Sequence, residues 1–413
     1  MLDILIFTVQ VVLAFIGAYQ LFFCLFGWYR QKKKIRYAAE KKFAVLVAAH
    51  NEEQVIGALI ENLTKLDYPK ELYDVFVIAD NCTDRTAEIA RSLGVHACER
   101  HNPNQQGKGY AIEWMLRELW KMPKSYDAVV ILDADNLVNP DFLTHMNNDL
   151  CSGHRVIQAY LDTKNPNDSW ITAAYGVTYW YCNRLWQLPR THLGLANFLG
   201  GTGMCFEAAL LKEMGWGATS LVEDLEFTVR CVQRGIYPTF NYDAKVYDEK
   251  PLTFKASARQ RLRWMQGHFD VARRYFFPLL WQGLKERSWA KIDTAIYTVN
   301  VYNVLIGFIF TMVLWIDYAL PGKPNFSSLY DYVPHGLIGV LTIAIYAQFP
   351  IALMLEKVRS WRVYASLITF PIFLISWWPI TFYAFFTQNN KQWSHTKHTR
   401  VIRLEEMQSK QAS

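Results

Sequence analysis

The stretch Ala128-Val-Val-Ile-Leu-Asp-Ala-Asp135 decides the fold. Five apolar residues in a row, rich in β-branched side chains, read as a strand buried on both faces, as in a parallel sheet covered by helices. Two acids follow at i and i+2, positions that point the same way in an extended segment. Working outward, Phe43-Ala-Val-Leu-Val-Ala-Ala49 reads as a second buried strand and Val75-Phe-Val-Ile-Ala79 as a third. Helical periodicity covers residues 52–66, 83–93 and 110–120, with Asn51 as the N-cap of the first helix. Strand–helix alternation of this kind predicts an α/β domain with a mostly parallel sheet and ligands at the carboxyl ends of its strands. Asp80, Asp133 and Asp135 directly follow strands and fall on that edge.

The chain of 413 residues is 52% apolar and 15% aromatic, and only 19% charged. A typical soluble chain carries about 25% charged residues. Net charge is +6, too mild for a nucleic-acid binder, which concentrates basic residues on one face. The seven cysteines form no CxxC pair, so a zinc site or disulfide framework is not expected and a reducing cytosol is the simpler setting.

Four runs lack charge: residues 4–29, 294–316, 336–355 and 363–390. Each is near the length of a membrane span, about 20 residues. Arg30, Lys32, Lys33, Lys34 and Arg36 follow the first run, which places the N-terminus outside and the next segment in the cytosol. Four strictly alternating spans would put the basic tail (Lys391, Lys397, Arg400, Arg403) outside, against the positive-inside rule, and its side is left open. The expected organisation is a membrane helix over 1–30, a cytosolic domain over 41–255, interfacial helices over 256–291, three spans over 292–390 and a tail over 391–413.

Several clusters carry chemistry. Asp133 and Asp135 suit a hard cation such as Mg²⁺ or Mn²⁺, which takes one or two carboxylates and completes its shell with phosphate and water. Gly107-Lys108-Gly109 is not a P-loop, because Asn102 and Gly109 stand where that motif needs Gly and Ser or Thr. Gly200-Gly201-Thr202-Gly203 reads as a turn, and Glu223-Asp224 precedes a helical pattern from Leu225 to Arg234. Gln260, Arg263 and Trp264 share one helix face, where Arg suits an anion and Trp a sugar ring.

In order along the chain, His50-Asn51-Glu52-Glu53, Ala79-Asp80-Asn81-Cys82-Thr83-Asp84, Asp133-Ala134-Asp135, Val222-Glu223-Asp224 and Gln260-Arg261-Leu262-Arg263-Trp264 resemble the motifs of membrane-embedded family 2 glycosyltransferases. That branch contains the cellulose, chitin, hyaluronan and poly-N-acetylglucosamine synthases. The resemblance covers residues 43–268, with Asn81 and Val222 departing from the family pattern. It implies a GT-A (Rossmann-like) cytosolic domain joined to an α-helical transmembrane bundle in the plasma membrane.

By the same resemblance the enzyme would be inverting and metal-dependent, with Mg²⁺ or Mn²⁺ as cofactor and UDP-glucose or UDP-N-acetylglucosamine as donor. The acceptor would be a growing glycan or, in the second reading, a membrane lipid. Donor contacts would come from Glu52, Asp80, Lys108, Asp133, Gln260, Arg263 and Trp264, and metal contacts from Asp133 and Asp135. Asp224 would be the catalytic base, with Glu223, Asp224 and Trp264 meeting the acceptor. Membrane lipids are implied partners, and a homo-oligomer or accessory subunit is compatible with the pattern.

Overall fold

The computed structural model describes residues 2–30, 36–218, 220–319, 335–390, 398 and 400–407. The strands read from sequence form where expected: β1 (Phe43–Ala49), β2 (Tyr73–Asp80) and β4 (Ala128–Asp133). They run parallel, with β1 between the other two, and β3 (His96–Arg100) extends the parallel block beyond β2. The rest of the sheet is not parallel. β7 (Met204–Glu207) runs antiparallel to both β4 and β6 (Val156–Thr163). β6 pairs in parallel with β8 (Thr239–Asp248), and β5 (Leu137–Val138) closes the edge antiparallel to β8. The eight-stranded order β3-β2-β1-β4-β7-β6-β8-β5 is therefore mixed. Periodicity does not reveal β7, because Met204-Cys-Phe-Glu207 is too short for it to register.

Both faces of the sheet are covered, which is why β1 has no polar side. Val45 and Val47 pack against α2 (Ile56–Leu63) and α5 (Phe142–Cys151). Ala44 and Leu46 pack towards α4 (Lys108–Leu119), α8 (Ala208–Met214) and Phe227 of α9 (Glu223–Gln233). Asn51 does not cap a helix. It adopts φ 56°, and its side-chain oxygen accepts the Thr83 N–H at 2.8 Å, tying the loops after β1 and β2 together. The first helix starts four residues later than expected, at Ile56 after Val55.

Gln260, Arg263 and Trp264 lie on α10 (Phe254–Lys285), a helix of 32 residues. The aromatic stretch from residue 170 forms a helix that runs on through two changes of pitch. α6 (Trp170–Tyr181) begins with a Ser169–Thr172 capping box. It passes into a wider π turn over Cys182–Gln187 and then α7 (Leu188–His192), and it is buried between the sheet and the C-terminal helices.

Among the described residues, two helical segments are long and apolar enough to cross a membrane, Phe7–Gly27 within α1 (Leu2–Cys24) and its extension, and Phe370–Thr387. A third arises if α11 (Trp289–Thr298) and the start of α12 (Asn300–Ala319), bent by 48°, form one span. Gly339–Leu355 is a shorter apolar helix. The described residues of the tail dock on the sheet domain, with Ile402, Leu404 and Met407 buried against Leu137 and Tyr247.

Candidate active site

The parallel strands end on one side of the sheet, and a cavity of ≈ 760 Å³ opens there. Its lining includes Glu52, Asp80, Lys108, Asp133, Asp135, Glu223, Asp224, Gln260, Arg263 and Trp264. These ten residues thus meet in one place, although positions 52 and 264 are far apart in the chain.

At one end Asp80, the last residue of β2, pairs with Arg100, the last residue of β3, at 2.5 Å. Both are buried. Burial pushes the Asp80 carboxyl up, although Arg100 pulls against it. Arg100 was not legible in the sequence, since its place opposite Asp80 follows from strand register.

Lys108 opens α4 beside Gly107, whose φ of 121° suits glycine. Its ammonium binds the Asp133 carboxylate and, at 2.5 Å, the Gly201 carbonyl. Burial favours loss of its proton, but Asp133 and the charges of Glu223 and Asp224 outweigh this and hold its pKa above the ordinary lysine value. The glycine run at 200–203 is the floor of the site and more than a turn. A Cβ at Gly200 would sit 2.6 Å from Leu161, and one at Gly203 2.8 Å from Val246. Thr202 Oγ1 accepts the Asp133 backbone N–H at 3.1 Å and so ties the end of β4 to this floor.

Asp135 is buried, with Oδ2 accepting the Glu249 N–H at 2.8 Å and Oδ1 accepting the Asn136 amide at 3.2 Å. Burial would raise its pKa, yet His398 and Lys164 hold it below the carboxylate norm. His398 Nδ1 lies 2.9 Å from Glu52 Oε1. Burial favours the neutral imidazole, but Asp135 and Glu52 push its pKa up to about 10. Among the described residues, no group of three or more His, Cys, Asp or Glu is arranged to hold an ion. The donor set nevertheless fits a hard cation shared with a phosphate. Asp133 faces the cavity, and each Asp135 oxygen accepts one hydrogen bond and retains acceptor capacity.

Across the cavity, Glu223 and Asp224 form the first turn of α9. Burial, reinforced by the neighbouring Glu223 charge, pushes Asp224 up to about 7. Gln260 accepts the Tyr175 hydroxyl at 3.0 Å. Trp264 stacks near Trp377, at 6.5 Å between ring centres, and meets the edge of Tyr175 at 6.3 Å. The cavity continues past Tyr179, Trp186, Phe198 and Tyr297 to Gln20 of α1 and Asn300 of α12.

This geometry can be set beside known proteins. The family model described as "Glycosyltransferase like family 2" matches residues 40–267, more than half of the chain. The chain is a family 2 glycosyltransferase. It is 25% identical to "Probable glycosyltransferase YdaM" of Bacillus subtilis strain 168 over 67% of this chain and 70% of that protein. It is 29% identical to the "Beta-monoglucosyldiacylglycerol synthase" of Nostoc sp. PCC 7120, over 63% of this chain and 55% of that one. It is 24% identical to the "Poly-beta-1,6-N-acetyl-D-glucosamine synthase" of Staphylococcus aureus strain COL, over 60% and 62%. The last two relatives are thus matched over little more than half their length. Among solved structures, a mannosyltransferase of Pyrobaculum calidifontis, in complex with GDP-Man and Mn²⁺, superposes with a TM-score of 0.51. That match covers 86% of this chain and 98% of that one at 14% identity, a likeness of fold. The glycosyltransferase therefore has the GT-A architecture with a helical C-terminal region.

Proposed function

We propose that this glycosyltransferase transfers a sugar with inversion from a UDP-sugar, UDP-glucose or UDP-N-acetylglucosamine, to the hydroxyl of a growing glycan at the cytosolic face of the plasma membrane. The observation that carries the reading is the placement of Asp224, pushed up to about 7, in the same cavity as Lys108 and Asp133. A base with a pKa near the working pH is suited to accept the acceptor proton. Asp80 with Arg100 forms the end that suits the uracil. The first turn of α4 and Lys108 suit the diphosphate, because a helix N-terminus and a fixed cation both attract phosphate. Asp133 and Asp135 would hold Mg²⁺ or Mn²⁺, which supplies neutralisation of charge on the departing diphosphate. Asp224 takes the proton as the acceptor oxygen bonds to the sugar's anomeric carbon. The bond from that carbon to the diphosphate breaks, and Arg263 faces the charge that leaves.

The aromatic wall of Tyr175, Tyr179, Trp264 and Trp377 offers faces for more than one sugar ring, which favours a processive synthase. A second reading, transfer of one sugar to a membrane lipid, is favoured by the reach of the cavity to α1 and α12. Relatives of both kinds, a polysaccharide synthase and a glycolipid synthase, are matched. Purified protein incubated with Mn²⁺ and a panel of UDP-sugars separates the two by UDP release and product size. A long digestible product supports the synthase, and a single lipid-soluble product supports the second reading. UDP release that survives chelation of the metal argues against the cation's place in the mechanism.

A further inference from the structure

The fate of the last apolar run is not settled by its length. Phe370–Thr387 is apolar enough to span, but its two ends are anchored to the same place. Just before the run, Ser360 Oγ hydrogen-bonds Asn167 at 2.6 Å. Beyond it, Arg400 pairs with Asp168, the very next residue, at 3.3 Å. Its backbone N–H also reaches Glu249 at 3.0 Å. A chain that leaves and rejoins one loop of a cytosolic domain crosses the membrane an even number of times. Two crossings need about 40 residues, and the uncharged run spans only residues 363–390.

Contacts along the run agree. Arg261 of α10 donates to Ser376 Oγ at 2.8 Å, and Gln266 donates to Thr387 Oγ1 at 2.9 Å. Phe269 packs on Phe385, with ring centres 5.5 Å apart. The run is thus fastened from residue 376 to residue 387 along a helix that also carries Gln260, Arg263 and Trp264 of the site. α10 bears Arg259, Arg261, Arg263, Asp270, Arg273 and Arg274, too many charges for the hydrocarbon core. A helix bound along it lies at the depth of α10. The run is also broken, with short helices at Trp361–Ser366, Phe370–Ile375 and Trp377–Thr387. Its outer face is apolar and exposed at Ile368 (84%), Ile372 (60%) and Phe386 (66%).

We infer that residues 361–387 do not cross the membrane but lie in the leaflet on the catalytic side, presenting Ile368, Ile372 and Phe386 to lipid. Lys357, Arg359 and Arg362 at its start suit anionic headgroups there. The basic tail then stays on the cytosolic side with the catalytic domain, and the conflict between strict alternation and the positive-inside rule disappears. This rests on the reading of the chain as membrane-embedded, with the domain in the cytosol.

Single cysteines at Glu213→Cys on the domain, Arg359→Cys before the run and Glu405→Cys after it, in the full chain with its native cysteines replaced, are labelled with a membrane-impermeant maleimide. Labelling is done before and after membrane permeabilisation. All three are expected to react only on the same side. Glu405→Cys reacting opposite to Glu213→Cys overturns the inference, as does Arg359→Cys doing so. If cysteine removal destroys the fold, a protease-cleavable epitope after Ser413 in the otherwise native chain reports the same side by its protection. Release of the protein by alkaline carbonate would instead sink the membrane reading itself. Retention with opposite-side labelling sinks only the inference about this run.

Discussion

Replacing Asp224 with Asn is expected to slow transfer by orders of magnitude while making the folded protein harder to unfold at neutral pH. Asp224 stands at about 7 instead of 3.8, through burial first and the Glu223 charge second. At about 1.36 kcal/mol per pH unit, keeping it ionised in the folded state costs roughly 4 kcal/mol. The side chain is half-buried and lines the cavity, so cavity water offsets part of that cost and the figure is a ceiling.

The sign follows from which state ionises first. Below about pH 4 the acid is protonated folded and unfolded, and the penalty is absent. Between about 4 and 7 the unfolded chain ionises while the folded one resists, so stability falls as pH rises. Above about 7 the whole penalty is present. Asp224→Asn should therefore match the wild type in unfolding temperature near pH 4 and exceed it increasingly up to pH 8. In the same variant kcat should fall by about 10²–10⁴, the span of general-base contributions, and wild-type kcat should climb through about pH 7. Tryptophan fluorescence on heating and UDP release from pH 5.5 to 8.5 measure the two. A flat wild-type kcat across that range, or an Asn variant keeping a tenth of the activity, would refute the assignment of the base.

Lys108→Ala removes the cation that joins Asp133 to the Gly201 carbonyl. UDP affinity in the presence of Mn²⁺ is expected to weaken at least about tenfold by calorimetry, the effect of losing one charge-assisted hydrogen bond of about 1.5 kcal/mol. Gly203→Ala puts a Cβ 2.8 Å from Val246 at a backbone φ of 63°. Overpacking of this kind costs about 1–3 kcal/mol, to be seen as a lowered unfolding temperature, and an unchanged one would count against the close approach. Trp264→Ala should raise the acceptor KM by about tenfold, an aromatic contact of about 1.4 kcal/mol, while UDP affinity holds. A rise in donor KM alone would place that ring on the nucleotide side.

The sequence by itself determined which acids stand at the ends of the strands. Val45, Val130 and their neighbours are apolar without alternation because both faces of the parallel block are covered. The acids directly after them, Asp80, Asp133 and Asp135, must then emerge at one edge. Helical spacing likewise sufficed to put Gln260, Arg263 and Trp264 on one face. These are local properties, carried by repeats of two and about 3.6 residues. The tertiary structure decided what depends on partners distant in the chain. Asp80 meets Arg100 through strand register. Gly201 forms the floor because Lys108 reaches it across the sheet edge, and Asn51 spends its side chain on Thr83 instead of a helix cap. Hydropathy could measure the apolar run near residue 370 but not its ends, since Ser360 and Arg400 become neighbours only when both close on the loop at Asn167 and Asp168.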